Sequence, residues 1–179
     1  MPTALQPERI EGFAPLLGDR PRVLILGSMP SVASLQKVQY YGKPQNAFWR
    51  IMADLIGFDP GLPYEQRAVL AVAAGVAVWD VLASCVRPGS LDSAIQPGTE
   101  VVNDIPGLLA AQPTMTHVFF NGRKAEEVFR RHVLAGLESA FPGLRYSCLP
   151  STSPAMATLD FHAKLERWRI VADALAASA

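Results

Sequence analysis

The chain has 179 residues, half of them hydrophobic and 18% charged, enough for one well-buried domain and too apolar for a disordered chain. Sixteen basic residues balance sixteen acidic ones, so the strongly basic footprint of many nucleic-acid binders is absent, and any such binding must rest on a local patch. No apolar run has the length of a membrane span and the start lacks a charged-then-apolar leader, so a cytoplasmic monomer without membrane contact is expected. Two cysteines, Cys85 and Cys148, cannot build a four-thiolate site; both read as free buried thiols, and neither metal nor organic cofactor is expected.

In chain order, Phe13 to Leu17 reads as a short helix or arm over a sheet edge. Arg22 to Leu26 is an apolar strand that empties into the tight loop Gly27-Ser28-Met29-Pro30-Ser31. Phe48, Ile51, Met52, Leu55 and Ile56 share a helical face that ends at Gly57. Pro63 opens a second helix, closed near Gly75. Val76 to Val81 is the second strand, with Trp79 and Asp80 near its end. A long loop rich in Pro, Gly and Ser follows from Ser84 to Thr99, carrying Arg87 and Asp92; loops of this length are often functional.

Asn103 and Asp104 cap a helix from Ile105 or Pro106 to Ala111. His117 to Phe120 is the third strand, emptying into Asn121-Gly122, and Arg123 to Leu137 is the next helix. Leu144 to Leu149 forms the fourth strand, followed by the loop from Pro150 to Met156. Phe161 to Leu175 is a closing helix with Leu165, Trp168, Ala172 and Leu175 toward the core. Strands alternating with helices predict an α/β fold: a three-layer α/β/α sandwich around a central, mainly parallel four-stranded sheet, as one domain. Parallel strands point their carboxyl ends the same way, so the loops after Leu26, Phe120 and Leu149 converge on one edge, where ligands of such sheets bind.

The residues in those loops suit a nucleobase. The carboxamide of Asn121 can donate to an oxo group and accept from the adjacent ring N–H, an edge that hypoxanthine has and adenine lacks; uracil offers a similar pair. Tyr41 is suited to stack on a base rotated out of a duplex. Asn46 either caps the helix after it or, lining a pocket, positions water or stabilises charge. Lys43, Arg87, Arg123 and Lys124 can supply a local basic patch. Ser151, Thr152 and Ser153 suit phosphate oxygens, and Pro154-Ala155-Met156 can press into a base stack.

Gly27-x-x-Pro30 after a strand, followed by Tyr40-Tyr41-x-x-Pro44-x-Asn46-x-Phe48-Trp49, resembles the first motif of the uracil-DNA glycosylase superfamily. The doubled tyrosine and the Asn-x-Phe-Trp ending most resemble its hypoxanthine-DNA (deoxyinosine) glycosylase branch. Leu149-Pro150-Ser151-Thr152-Ser153-Pro154-Ala155 resembles the superfamily's second motif, the loop that enters the duplex. The resemblance spans roughly Arg22 to Trp168.

It implies a DNA-repair enzyme acting on double-stranded DNA, with Asn46 catalytic and Gly27, Ser28, Tyr41, Phe48 and Asn121 around the base. It further implies that Lys43 and the loop Ser151-Thr152-Ser153-Pro154-Ala155-Met156 contact DNA. Two positions depart from the better-known relatives: Met29 stands before Pro30 and Leu149 before Pro150, where polar groups handle water. Hydrolysis of deoxyinosine by a monofunctional glycosylase is therefore expected over efficient uracil removal. The alternatives are a uracil or xanthine glycosylase on the same fold, or a DNA- or nucleotide-binding module without catalysis.

Overall fold

A computed structural model describes residues 7–177. Its centre is a four-stranded parallel sheet of β2 (Val23–Gly27), β3 (Val76–Asp80), β6 (His117–Asn121) and β7 (Arg145–Leu149), in the order β3-β2-β6-β7. β2 is buried along its whole length, which explains why its sequence is a continuous apolar run instead of an alternating one. Its residues still divide between two cores. Val23 and Ile25 pack with α2 (Phe48–Ile56), α3 (Tyr64–Ala73) and α7 (Phe161–Ala177) through Phe48, Ile51, Ala71 and Trp168. Leu24 and Leu26 face the other way, onto Ile105 and Leu109 of α4 (Ile105–Ala111) and Val128 and Phe129 of α5 (Arg123–His132). The expected three layers around a parallel sheet are present.

A second sheet was not legible in the sequence. β1 (Arg9–Glu11), β4 (Leu82–Val86) and β5 (Val101–Val102) form a three-stranded antiparallel sheet beside the main one. The loop expected from Ser84 therefore begins only after Val86, and contains a 3₁₀ turn at Asp92–Ala94. The segment around Phe13 is an arm and not a helix: Leu16 bridges Val78 at the free edge of β3, and the Phe13 carbonyl accepts from Trp79 Nε1 at 2.9 Å.

Further expectations are corrected. A short α1 (Val32–Lys37), capped by Ser31 accepting from the Ser34 N–H, interrupts the loop after β2. The helix from Arg123 stops at His132 and resumes as α6 (Leu137–Ala140), because Gly136 turns the chain through a positive φ of 88°. On α7 the expected Trp168 is buried and Leu165 and Leu175 pack against the core, while Val171, Ala174 and Lys164 are buried beside them, Lys164 donating to the Ser153 carbonyl. Cys148, expected buried, is exposed on β7, the edge strand, whereas Cys85 is buried as expected.

β3 and β6 lie on opposite sides of β2, so the chain reverses its direction of travel across the sheet there. The crevice above β2 is thus a topological switch point, flanked by the ends of its two neighbours.

Candidate active site

The carboxyl ends of the sheet enclose a cavity at that switch point. Gly27, Ser28 and Met29 form one wall, Tyr41 and Asn46 another; Asp80 and Asp92 approach from the β3 side, and Asn121 and Ser151 to Ser153 from the β6 side. Loops distant in sequence meet here because each follows a parallel strand.

Asn121 ends β6 and is buried at the cavity's edge. Its Oδ1 accepts from the Thr152 backbone N–H and its Nδ2 donates to Thr152 Oγ1, both at 2.9 Å. A backbone N–H can only donate, so this pair fixes which way the amide points. One Nδ2 hydrogen and one Oδ1 lone pair remain for a ligand. Thr152 is 1% exposed and its hydroxyl is committed to this amide, so it positions Asn121 and is not available to a phosphate as expected.

The N-cap of α2 is Ala47, yet the Asn46 side chain reaches both the helix start and the cavity. Its Oδ1 accepts from the Phe48 N–H at 2.9 Å, tying the start of α2, while the residue lines the cavity. The NH₂ end and the second oxygen lone pair are what is left for chemistry. Ala47 N–H donates to the Thr152 carbonyl at 3.0 Å, so the Asn46 segment is stapled to the loop that holds Asn121.

Tyr41 has a φ of 52°, a left-handed conformation costly for a bulky residue. That turn swings its ring into the cavity, where it stacks on Phe48 with centroids 4.1 Å apart. Its hydroxyl is buried, faces Asn121 without a well-formed hydrogen bond, and is pushed up in pKa by burial first and Asp80 second. Phe48, expected against the base, is fully buried and absent from the cavity wall; it supports Tyr41 from behind.

Gly27 has room for no other residue. A Cβ there would collide with Asp80 Oδ1 and stand 3.0 Å from the Tyr41 hydroxyl. Ser28 donates to Asp92 Oδ1 at 2.6 Å, so its hydroxyl is held by a carboxylate.

Asp80 and Asp92 were not singled out as site residues. Asp80 is 4% exposed, its Oδ2 has no partner, and its pKa is raised to about 7 by burial, then by Asp92, with Arg87 opposing. Asp92 is also raised, chiefly by burial, while the Ser28 hydroxyl and Arg87 pull it down. Arg87 itself is buried and so does not belong to a surface patch. Its guanidinium donates to the carbonyls of Pro30 at 2.5 Å and Gly89 at 2.9 Å, clamping the loop after β2. Among the described residues no group of three or more His, Cys, Asp or Glu is placed to hold a metal ion.

The loop after β7 is preorganised. Ser151 Oγ accepts from Ser153 N–H and Ser153 Oγ from Ala155 N–H, both at 3.2 Å, and Trp168 Nε1 donates to the Pro150 carbonyl at 2.9 Å. The buried Lys164 ammonium donates to the Ser153 carbonyl at 3.2 Å. Pro154 and Ala155 stand exposed, with Met156 half-buried. Lys43 and Arg123 are exposed and do not line the cavity, whereas Lys124 is paired with Glu127 at 3.3 Å.

The family model of the uracil DNA glycosylase superfamily matches residues 14–173; the chain belongs to that superfamily. Among curated proteins it is similar to a hypoxanthine DNA glycosylase of Methanosarcina acetivorans, 39% identical over 80% of this chain and 86% of the relative. It is also similar to one of Methanosarcina barkeri, 36% identical over 65% of this chain and 73% of the relative. Among solved structures, an NMR structure from Methanosarcina acetivorans, of a protein proposed as a uracil DNA glycosylase, superposes with a TM-score of 0.78 at 33% identity, covering 94% of this chain and 99% of that one.

Proposed function

We propose that this protein is a monofunctional DNA repair glycosylase that removes hypoxanthine from deoxyinosine by hydrolysing the N-glycosidic bond of a base rotated out of the duplex. The observation that carries the reading is the locked Asn121 amide at the floor of a cavity, in a chain whose curated relatives are hypoxanthine DNA glycosylases. Its free donor meets the 6-oxo group and its free acceptor meets N1–H; adenine, reversed at both positions, would leave buried groups unpaired.

Tyr41 covers one face of the base, its ring set by Phe48. Asn46 brackets a water with its NH₂ group and free lone pair, a positioning role suited to a group that is no strong base. Exposed Pro154 and Ala155 fill the gap left in the stack, while Lys43 and Arg123 neutralise nearby phosphates of double-stranded DNA. No amine in the cavity wall is available to form a Schiff base: Lys43 is exposed and Lys164 is bonded to the Ser153 carbonyl. Release without strand cleavage follows. Among the described residues no helix is long and apolar enough to cross a membrane, and we assign the protein to the cytoplasm as a monomer.

Uracil is the second reading, favoured by one feature: it presents the same oxo and N–H pair to Asn121. Base release from duplexes holding deoxyinosine, deoxyxanthosine or deoxyuridine opposite a normal base separates the two. Hypoxanthine should leave fastest; a protein that retards DNA and frees no base would be a binding module.

A further inference from the structure

Asp80 occupies the position on β3 that Asn121 occupies on β6: the last residue of a strand bordering β2, its side chain in the cavity wall. The sites differ in how they are satisfied. Asn121 has two partners in Thr152, whereas Asp80 Oδ2 is buried with none, an expensive arrangement unless something enters the cavity to meet it. Its backbone is fixed: the Asp80 carbonyl accepts from Asn103 Nδ2 at 2.8 Å, and the next N–H, of Val81, donates to the Gly27 carbonyl at 2.8 Å. The bare Gly27 lets the carboxyl lie directly against β2.

Strands in a sheet are about 4.8 Å apart, so the ends of β3 and β6, two steps apart, lie roughly 10 Å from each other. Asp80 leans inward from its strand end over Gly27, and it and Asn121 line the same cavity, so a base held there by Asn121 comes close to the carboxyl. A purine that meets Asn121 through its oxo and N–H edge carries N7 on the flank beside the oxo group and N3 on the other flank, so the carboxyl of Asp80 meets one of the two, according to which flank faces β3. Both nitrogens are acceptors, and only the neutral carboxyl has a hydrogen to give them.

We propose that Asp80, as the neutral acid, donates its proton to a ring nitrogen of the departing purine and so acts as general acid in base release. This rests on the glycosylase reading above. The step balances: the glycosidic electron pair moves onto N9, the Asp80 proton neutralises the base at N3 or N7, and water adds to C1′. The proton lost by that water returns to the Asp80 carboxylate directly or through solvent. The net change is deoxyinosine plus water giving hypoxanthine plus an abasic deoxyribose.

The charged and titratable groups around Asp80 suit this. Asp92 on the 3₁₀ turn disfavours its ionisation, Arg87 after β4 opposes that, and Tyr40 and Tyr41, whose hydroxyl meets Gly27 beside the Asp80 carboxyl, stay neutral because burial and Asp80 both raise them. With a pKa of about 7, a substantial fraction of Asp80 carries its proton at neutral pH.

The test is single-turnover base release from a deoxyinosine duplex between pH 5.5 and 9. The parent rate should fall about tenfold per pH unit above roughly 7, on the scale expected for loss of the acid form. Asp80→Asn keeps the shape and should lose at least about 10²-fold at pH 6.5, with that falling limb gone. Asp92→Asn retains an acceptor for Ser28 and removes a like charge, so the limb should move to lower pH. On duplexes carrying 3-deaza- or 7-deaza-deoxyinosine, one analogue should erase the difference between parent and Asp80→Asn. An Asp80→Asn rate within threefold of parent, an unchanged limb in that variant, or an equal Asp80→Asn penalty on both analogues would overturn the proposal while leaving hypoxanthine release intact. A parent that frees no hypoxanthine at any pH would overturn the glycosylase reading as well.

Discussion

Thr152 holds Asn121 by both ends of its amide, giving a backbone N–H to Oδ1 and taking Nδ2–H on its hydroxyl, each at 2.9 Å. A carboxamide in a buried wall can rotate by half a turn and swap donor for acceptor, which would exchange the bases it accepts. The backbone bond forbids that rotation. Thr152→Val keeps the N–H and the shape but removes the hydroxyl acceptor. Turnover on deoxyinosine should drop about tenfold, near the value of one buried hydrogen bond, with little change in melting temperature beyond that. Kinetics on deoxyinosine beside a thermal melt checks it; full activity would show that the N–H alone suffices.

Asn46 serves the helix and the cavity with different atoms, and the two can be separated. Asn46→Ala removes both: it should lower turnover by about 10²-fold and stability by about 1 kcal/mol. Asn46→Asp keeps an oxygen for the Phe48 N–H and loses the NH₂ group, so stability should survive while turnover falls. Equal activity for Asn46→Asp and parent would reduce Asn46 to a cap.

Burial holds the folded-state pKa of Asp80 near 7, above the ordinary carboxylate value, so the protonated form is the one the fold prefers. Its contribution is complete below about pH 4 and is lost as pH rises through 7. Asp80→Asn removes that loss. Its stability advantage over the parent should grow from pH 5.5 to pH 8, reaching a few kcal/mol in order of magnitude. Chemical denaturation at the two pH values reads this directly, and a constant difference would mean the carboxyl is ordinary in the fold. A variant that is more stable and less active is the expected signature of a site residue.

The loop after β7 is rigid at both ends, through Trp168 on Pro150 and Lys164 on Ser153, so entering a duplex costs it little order. Replacing Ser153-Pro154-Ala155-Met156 with glycines should reduce release from paired duplex about tenfold more than from single strands, where less unstacking is required. Equal losses would indicate that the loop shapes the cavity instead.

How much of this was legible in the sequence depended on where each residue sat. Asn121 and the Pro150 to Met156 loop end apolar strands, and parallel strands bring such ends together, so their meeting followed from pattern alone. The same reasoning applied to Asp80, an acid near the end of Val76 to Val81, but no motif marks it as a site residue. Asp92 reaches the cavity from a Pro- and Gly-rich loop whose path no periodicity reveals. Arg87 was read as part of a basic patch, and Lys164 drew no reading, because their partners are backbone carbonyls, which leave no mark in a sequence. Phe48 read as a base contact because its motif does not say which of two stacked rings faces the ligand. The small β1-β4-β5 sheet escaped because its strands are short and carry no alternation of their own.

The most direct measurement is the rate of base release from one duplex sequence carrying deoxyinosine or deoxyuridine opposite thymine and guanine respectively, at saturating protein. Free hypoxanthine and an intact abasic strand, formed faster than uracil is freed, is the result expected of a locked Asn121, an Asp80 acid and an apolar Met29. Uracil released as fast or faster, or no base released from either duplex, would contradict it.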